Sequence, residues 1–253
     1  MGLPIGQTAP RRTPVATLTL IAINIIVYII MNTYPSLLVP GASSVYEVQR
    51  QLAIIPAAIV QGDRLWTLFT SMFVHADFLH LFGNMVFLFF FGASVENAMG
   101  KLRYLVFYFL CGLAASLFHI LSISFIPAGY LIANMQVLNP WITPTLGASG
   151  AISGIMGAYL VYYPRARVVF MYPILIFPFI FALPAWAYIL IWFTYQLFMG
   201  LTTLMGFASS IAFWAHIGGF LAGIALAPVF LDPTIKEKTK IYREFLLRYN
   251  VSY

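Results

Sequence analysis

A serine and a histidine, each inside a run of small and apolar residues, are the side chains in this sequence best suited to chemistry. Ser149 lies in stretch 147–157, GASGAISGIMG, and His216 lies in stretch 215–223, AHIGGFLAG. In both stretches small residues recur every four positions, a spacing that lets two helices approach closely. Helix packing alone would explain the small residues. A serine on one such face and a histidine on the other also suggest a nucleophile and its general base.

The composition of the chain is that of a membrane protein. Hydrophobic residues make up 62% and charged residues 8% of the 253 positions, and the mean hydropathy is +0.91. This composition excludes a water-soluble globular domain. The net charge of +6 does not indicate a nucleic-acid partner, because the basic residues fall in short clusters between apolar runs. Membrane topology explains clusters of that kind.

The charged clusters divide the chain into apolar runs of a length that can cross a lipid bilayer, about 20 residues each. We predict one all-α membrane domain whose spans are about 15–31, 78–99, 104–125, 147–163, 184–203 and 207–229. Segment 35–74 mixes prolines and charges with apolar residues, which favours short amphipathic helices in the membrane interface. The proline-rich piece 168–183 is expected to be irregular or interfacial, since proline breaks helices.

The distribution of Lys and Arg orients these six spans. With segment 1–14 in the cytoplasm, the 13 Lys and Arg residues all lie on the cytoplasmic side except Arg50 and Arg64. The positive-inside rule favours this arrangement. We therefore predict a multi-pass protein of the cell membrane with a cytoplasmic N-terminal segment 1–14, a membrane domain 15–230 and a basic cytoplasmic tail 231–253.

Four polar side chains are predicted to share one depth in the bilayer. Ser149 and His216 are equally far from the first charged residue at the cytoplasmic end of their spans, and Asn84 is one residue farther. At 1.5 Å per residue this depth is about 25 Å, in the outer part of the membrane. His80 lies one helical turn from Asn84 on the same face. Because isolated polar groups are costly in hydrocarbon, we expect them to form a common interior site.

These four side chains suffice for acyl transfer. His216 can accept the proton of Ser149 as the serine attacks a peptide carbonyl, and can return it to the leaving amine. No carboxylate is predicted at this depth, so we expect a dyad rather than a triad. The backbone N–H of Ser149 and side-chain donors from Asn84 and His80 would hold the oxyanion. His119, on the third span, is expected to bridge helices by a hydrogen bond, and no metal or organic cofactor is predicted.

Three motifs resemble those of the rhomboid family of intramembrane serine proteases. The family's GxSG motif matches 147–150, its AHxxGxxxG motif matches 215–223, and its HxxxxHxxxN pattern matches His75, His80 and Asn84. The motifs follow one another in the family's order, and the six-span frame extends the resemblance over the whole predicted membrane domain.

The resemblance implies a six-transmembrane-helix rhomboid-like bundle with an interfacial first loop. It implies a serine endopeptidase in which Ser149 is the nucleophile, His216 the base, and His80 and Asn84 the oxyanion partners. The fifth span would be a lateral gate. The implied substrates are single-span membrane proteins, cut in or near their transmembrane segments within the lipid bilayer.

Two positions depart from the family's pattern. Residues Trp66-Thr67 stand where many members carry Trp-Arg, so a contact that stabilises the first loop is either missing or supplied by Arg64. Ser153 stands where some members have a tyrosine that stacks on the histidine. Both departures suggest altered packing of the loop or the histidine, and neither removes a catalytic group.

Other classes of protein fit the sequence less well. A non-catalytic rhomboid-like protein that binds membrane clients is the main alternative, but it would be expected to lack the serine or the histidine. A transporter or channel would place ionisable residues near mid-membrane, and no predicted span carries an Asp, Glu, Lys or Arg at that depth. Other intramembrane proteases are disfavoured, because HExxH is absent and the only Gly-Asp pair, Gly62-Asp63, lies in a loop.

Overall fold

The fold is a helical bundle with two small antiparallel sheets, described by a computed structural model over residues 3–10, 13–126, 131–133, 136–174, 177–207 and 209–235. In chain order the elements are β1 (Leu3–Gln7), α1 (Val15–Thr33), α2 (Val45–Leu52), α3 (Pro56–Val60), α4 (Thr67–Thr70), α5 (Phe78–Met99), α6 (Lys101–Ile123), β2 (Leu131–Ala133), β3 (Gln136–Leu138), α7 (Ser149–Tyr162), β4 (Arg167–Ile174), β5 (Phe177–Pro184), α8 (Ala185–Leu204) and α9 (Phe213–Phe230).

Five helices in the described part of the chain are long and apolar enough to cross a membrane: α1, α5, α6, α8 and α9. Helix α7 is apolar but has only 14 residues, about 21 Å at 1.5 Å per residue. The predicted helical membrane bundle is confirmed, whereas the predicted fourth span, 147–163, is a shorter helix. Every residue of α7 from Gly150 to Tyr159 is buried. A helix enclosed by other helices does not need to match the thickness of the hydrocarbon.

The last helix begins later than the predicted residue 207. Gly206 takes φ +94° just after the end of α8, and the Ser209 hydroxyl accepts the N–H of Ile211. Local side-chain bonds of this kind favour turns over helix. The chain therefore turns before α9 starts at Phe213.

The proline-rich piece 168–183, expected to be irregular or interfacial, forms two paired β-strands and is therefore not irregular. Strands β4 and β5 pair antiparallel along their whole length, and the pair nearest the closed end is Ile174 opposite Phe177. Val168 and Phe170 are buried while their neighbours in β4 are partly exposed, the alternation expected of a strand with one face against a core. β-branched and aromatic residues, which favour this structure, make up five of the eight residues of β4 and four of the eight of β5.

The N-terminal segment 1–14 contributes a strand that the sequence did not predict. Strand β1 pairs antiparallel with β4, which gives a three-stranded sheet of order β1-β4-β5. The amide of Gln7 donates to the carbonyl oxygen of Phe90 at 2.5 Å and accepts from the hydroxyl of Tyr159 at 2.6 Å. These bonds attach β1 to α5 and α7.

The first loop, segment 35–74, contains the short helices that were predicted for it, α2 to α4. Arg64 donates from its guanidinium to the carbonyl oxygens of Arg50 and Gln51, at 2.7 and 2.5 Å. These carbonyls lie at the end of α2, where helical carbonyls lack intrahelical partners. Of the two alternatives that the sequence left open, the structure has the second, in which Arg64 supplies a contact within the loop.

A buried carboxylate joins α5 to the start of α1. Glu96 is 4% exposed and accepts from the backbone N–H of Ala16 at 2.9 Å. It also accepts from the backbone N–H and the hydroxyl of Thr17, both at 2.8 Å. The first N–H groups of a helix have no intrahelical acceptor, so Glu96 satisfies the N-terminus of α1.

Beyond α9, Asp232 donates its backbone N–H to the carbonyl of Ala98 and pairs with Arg103 at 3.7 Å. The predicted cytoplasmic tail 231–253 lies mostly outside the described residues, from 236 onward.

Candidate active site

Ser149 is the first residue of α7 and is presented by a tight turn. Gly147 takes φ +117° in this turn, a value that favours glycine. Its N–H donates to the carbonyl oxygen of Ser71 at 2.8 Å, which attaches the turn to the end of the first loop. Because Ser149 begins the helix, its own backbone N–H is one of those that lack an intrahelical acceptor.

Close packing of α7 on α9 brings the serine and the histidine together. A Cβ built on Gly219 or Gly223 would overlap the carbonyl oxygen of Gly150 or Gly154, so the two backbones are in contact. The small residues recognised in the sequence thus form the interface between these helices.

Across that interface the Nε2 atom of His216 lies 2.8 Å from the Oγ atom of Ser149. Both side chains are partly buried. A hydroxyl hydrogen-bonded to an imidazole at this distance is the arrangement required for general-base activation of a serine.

The other ring nitrogen of His216 has a partner that the sequence analysis missed. Its Nδ1 atom lies 2.8 Å from Oε1 of Gln196 in α8, and Gln196 is only 4% exposed. A dyad was predicted because no carboxylate lies at this depth. In the structure the neutral amide of Gln196 occupies the position beside Nδ1 that a carboxylate would have. An amide side chain within the predicted fifth span was the feature of the sequence that could have indicated this partner.

The histidine ring also has an aromatic neighbour on α8. Trp192 lies one turn before the glutamine, and its ring centroid is 6.3 Å from that of His216. Ser153, which replaces the tyrosine of some rhomboid members, donates back to the carbonyl of Ser149 at 2.7 Å. The aromatic contact to the histidine ring thus comes from α8, and packing that differs from that of other members stays a prediction.

His80 and Asn84 border the turn that precedes Ser149. A Cβ on Gly147 would lie 2.8 Å from Nε2 of His80 and 3.7 Å from Nδ2 of Asn84. Nδ2 of Asn84 is buried and has no hydrogen-bond partner among the described residues. All four side chains proposed from the sequence thus lie around one turn, with an amide donor left free there.

His75, the first residue of the HxxxxHxxxN pattern, supports His80. Its ring is fully buried and meets the ring of His80 edge to face at 5.1 Å. Burial, with a smaller contribution from the neighbouring His80, lowers the pKa of His75 to about 3. Asp77 accepts the N–H of His80 at 2.8 Å and caps α5. The neutral His75 and the cap fix the start of the helix that carries His80.

A cavity of about 30 Å³ lies beside Ser149, and the hydroxyl-bearing residues Ser71, Ser116 and Thr145 contribute to its lining. This volume accommodates one water molecule. His119 makes a hydrogen bond through Nε2 to the hydroxyl of Thr145 at 3.1 Å. This bond joins α6 to the loop before α7, and not to another helix as the sequence had suggested. Within the described residues no group of three or more His, Cys, Asp or Glu side chains could hold a metal ion.

These features define a multi-pass helical membrane protein with a hydrogen-bonded serine–histidine pair in its interior. The Rhomboid domain family matches residues 62–233, more than half of the chain. The protein belongs to the rhomboid family.

The similar proteins include one named as a protease and one named as inactive. Rhomboid protease AarA of Providencia stuartii is 34% identical over 153 residues, 58% of this chain and 50% of that protein. RHOMBOID-like protein 12, mitochondrial, of Arabidopsis thaliana is 36% identical over 112 residues, 43% of this chain and 32% of that protein. Inactive RHOMBOID-like protein 8 of Arabidopsis thaliana is 38% identical over 71 residues, 28% of this chain and 20% of that protein. The chain spans half the length of these relatives or less.

Proposed function

We propose that this protein is an intramembrane serine endopeptidase with Ser149 as nucleophile and His216 as general base. The observation that carries the proposal is the 2.8 Å hydrogen bond between Oγ of Ser149 and Nε2 of His216. Membership of the rhomboid family and the similarity to a protein named as a rhomboid protease support it.

The reaction follows from this geometry. Oγ of Ser149 attacks the carbonyl carbon of the scissile peptide bond while its proton passes to Nε2 of His216. The tetrahedral intermediate then collapses: Nε2 returns the proton to the leaving amine, the C–N bond breaks, and an ester remains on Oγ. A water molecule attacks this ester and gives a proton to Nε2. The bond between the carbonyl carbon and Oγ then breaks, Nε2 returns the proton to Oγ, and the new carboxylic acid leaves.

The oxyanion of both intermediates would be held by three donors. These are the backbone N–H of Ser149, Nδ2 of Asn84 and Nε2 of His80. The free amide of Asn84 supports this assignment, because a buried donor without a partner is costly unless a ligand satisfies it. The cavity beside Ser149 is the proposed source of the hydrolytic water.

The proposed substrates are single-span membrane proteins cut in or near their transmembrane segments. The site lies among apolar helices of a multi-pass membrane protein, so a substrate must reach it within or at the edge of the bilayer.

A non-catalytic protein that binds membrane clients is the second candidate, since one relative is named inactive. The hydrogen-bonded serine and histidine favour the protease. The deciding experiment uses the purified full-length chain in detergent, a fluorescent fluorophosphonate probe and a model single-span substrate.

Labelling and cleavage should occur in the wild type and disappear in Ser149→Ala and in His216→Ala. The matched control is Ser94→Ala, which removes a buried hydroxyl of α5 that has no hydrogen-bond partner among the described residues. It should label and cleave like the wild type. A wild-type protein that binds the substrate but neither labels nor cleaves would overturn the protease assignment in favour of client binding.

We also propose that the protein lies in the cell membrane with both termini in the cytoplasm, as the distribution of Lys and Arg favours. The native Cys111 is buried, so new cysteines can report topology. In intact cells a membrane-impermeant thiol reagent should label Ser43→Cys and should leave Lys101→Cys unlabelled until the cells are opened. The reverse pattern would contradict the orientation.

A further inference from the structure

We infer that Gln196 is a positioning residue that holds the imidazole of His216 in the tautomer and orientation needed to activate Ser149. The inference rests on the proposed protease function. Gln196 contacts no substrate atom in this assignment and acts only through the histidine.

The two hydrogen bonds of His216 have a direction that matters for catalysis. Oε1 of Gln196 faces Nδ1 at 2.8 Å, and an amide oxygen only accepts, so Nδ1 carries the proton. The neutral imidazole then has an unprotonated Nε2, and this atom lies 2.8 Å from Oγ of Ser149. Nε2 can therefore accept the serine proton. The opposite tautomer would place a proton on Nε2 and could not act as the base.

The glutamine also stabilises the charge that develops on the ring. When Nε2 takes the proton, the ring becomes an imidazolium whose Nδ1–H donates to Oε1. A hydrogen bond with one charged partner is stronger than a neutral one. The interaction is thus stronger in the transition state than before it, which is the condition for raising the rate of the chemical step.

Helix α8 positions this amide beside the histidine ring. Gln196 is buried and lies one turn after Trp192, whose ring packs beside the histidine. Residues at i and i+4 share one helix face, so a single face of α8 supplies both the hydrogen-bond acceptor and the aromatic wall. Thr194, on the opposite side of α8, is exposed.

The test compares Gln196→Met, which keeps the shape and removes the acceptor, with Gln196→Glu, which keeps the acceptor. Thr194→Val is the matched control, because it removes a polar group from the exposed side of the same helix. The full-length variants are assayed with the single-span substrate and the fluorophosphonate probe, and thermal unfolding checks that each is folded.

We expect Gln196→Met to lower kcat and the rate of probe labelling roughly 10- to 100-fold, with little change in KM. Gln196→Glu should retain kcat within about threefold of the wild type, and Thr194→Val should be unchanged. A folded Gln196→Met variant with wild-type kcat would overturn the inference. So would a Gln196→Glu variant as slow as Gln196→Met, because only a structural role would fail to be rescued by the retained acceptor.

A second readout does not depend on activity. In histidine-labelled protein, ¹⁵N NMR should place the proton of His216 on Nδ1 in the wild type and show a mixture of tautomers in Gln196→Met. An Nε2-protonated ring in the wild type would overturn the inference even if the enzyme cleaves. A correct tautomer in a wild type that does not cleave would instead count against the protease function alone.

Discussion

Gly219 of α9 lies directly against the carbonyl oxygen of Gly150 of α7, with no room for a Cβ between them. Gly150 follows Ser149, and Gly219 lies one turn after His216. The contact between these two backbones therefore sets the distance between the serine and the histidine.

We expect Gly219→Ala to push the two helices apart and to lower kcat about 100-fold, since a displacement of about 1 Å can cost that much. Overpacking should also destabilise the fold by about 1 to 3 kcal/mol. Cleavage assays and thermal unfolding measure the two effects. Gly83→Ala is the control, because a Cβ there meets no atom within 4 Å. Wild-type activity in Gly219→Ala would show that this contact does not control the site.

The turn before Ser149 yields a second prediction. Gly147→Ala strains a backbone at φ +117° and places a Cβ 2.8 Å from the ring of His80. The strain alone costs about 1 to 3 kcal/mol, and the overlap displaces an oxyanion donor. We expect a loss of kcat well beyond the loss of stability.

Gly62→Ala separates the two causes, because Gly62 has φ +79° and open space around its Cβ position. It should be destabilised but should retain kcat. If Gly147→Ala and Gly62→Ala lose activity to the same degree, the overlap with His80 is not the reason.

Asn84→Ala tests the oxyanion site. Removing one such donor costs about 10²- to 10³-fold in kcat in other hydrolases. Stability should change little, since Nδ2 of Asn84 makes no hydrogen bond to the described residues. Steady-state cleavage kinetics should show the loss in kcat with KM nearly unchanged. Asn32→Ala, in an exposed position at the end of α1, should cleave normally. A loss confined to KM would point to substrate binding instead.

The carboxylate that joins α5 to α1 predicts a purely structural effect. The two carboxylate oxygens of Glu96 accept hydrogen bonds from three donors, and Glu96→Gln leaves only one oxygen that can accept. Leaving a buried donor unsatisfied costs about 1 to 3 kcal/mol, so the melting temperature should fall while kcat of the folded protein is retained. Glu47→Gln, at an exposed carboxylate, should melt like the wild type. Equal melting of both variants would refute this role for Glu96.

The charges and motifs predicted much of this molecule because their information is local. The positively charged clusters and turn residues bound the spans, so that α5 has the predicted bounds, 78–99. The small residues beside Ser149 and His216 predicted the close approach of two helices, which the glycine contacts between α7 and α9 realise.

What the sequence did not predict depends on partners distant in the chain. In the sequence, β4 and β5 are an apolar run interrupted by prolines. The pairing of β4 with β1, which is distant in the chain, is not visible in that run. Gln196 belongs to no motif, and its partner His216 lies on another helix, so only the packing of α8 against α9 brings them together. A single polar residue in an apolar span specifies no partner by itself.

The buried His75 predicts a dependence of stability on pH. Its pKa in the folded protein is about 3, against an ordinary value of 6.5. Between these values the unfolded chain binds a proton on this ring that the folded protein does not, so the free energy of unfolding falls as the pH is lowered through that window. One such group changes the free energy of unfolding by at most about 1.4 kcal/mol per pH unit.

His75→Asn removes the titrating group. Melting temperatures measured at about pH 7 and about pH 5 should therefore differ less in this variant than in the wild type. His75→Phe, which keeps a ring in the buried position, should show the same reduced difference. If both variants keep the wild-type difference, another group causes the loss of stability in acid.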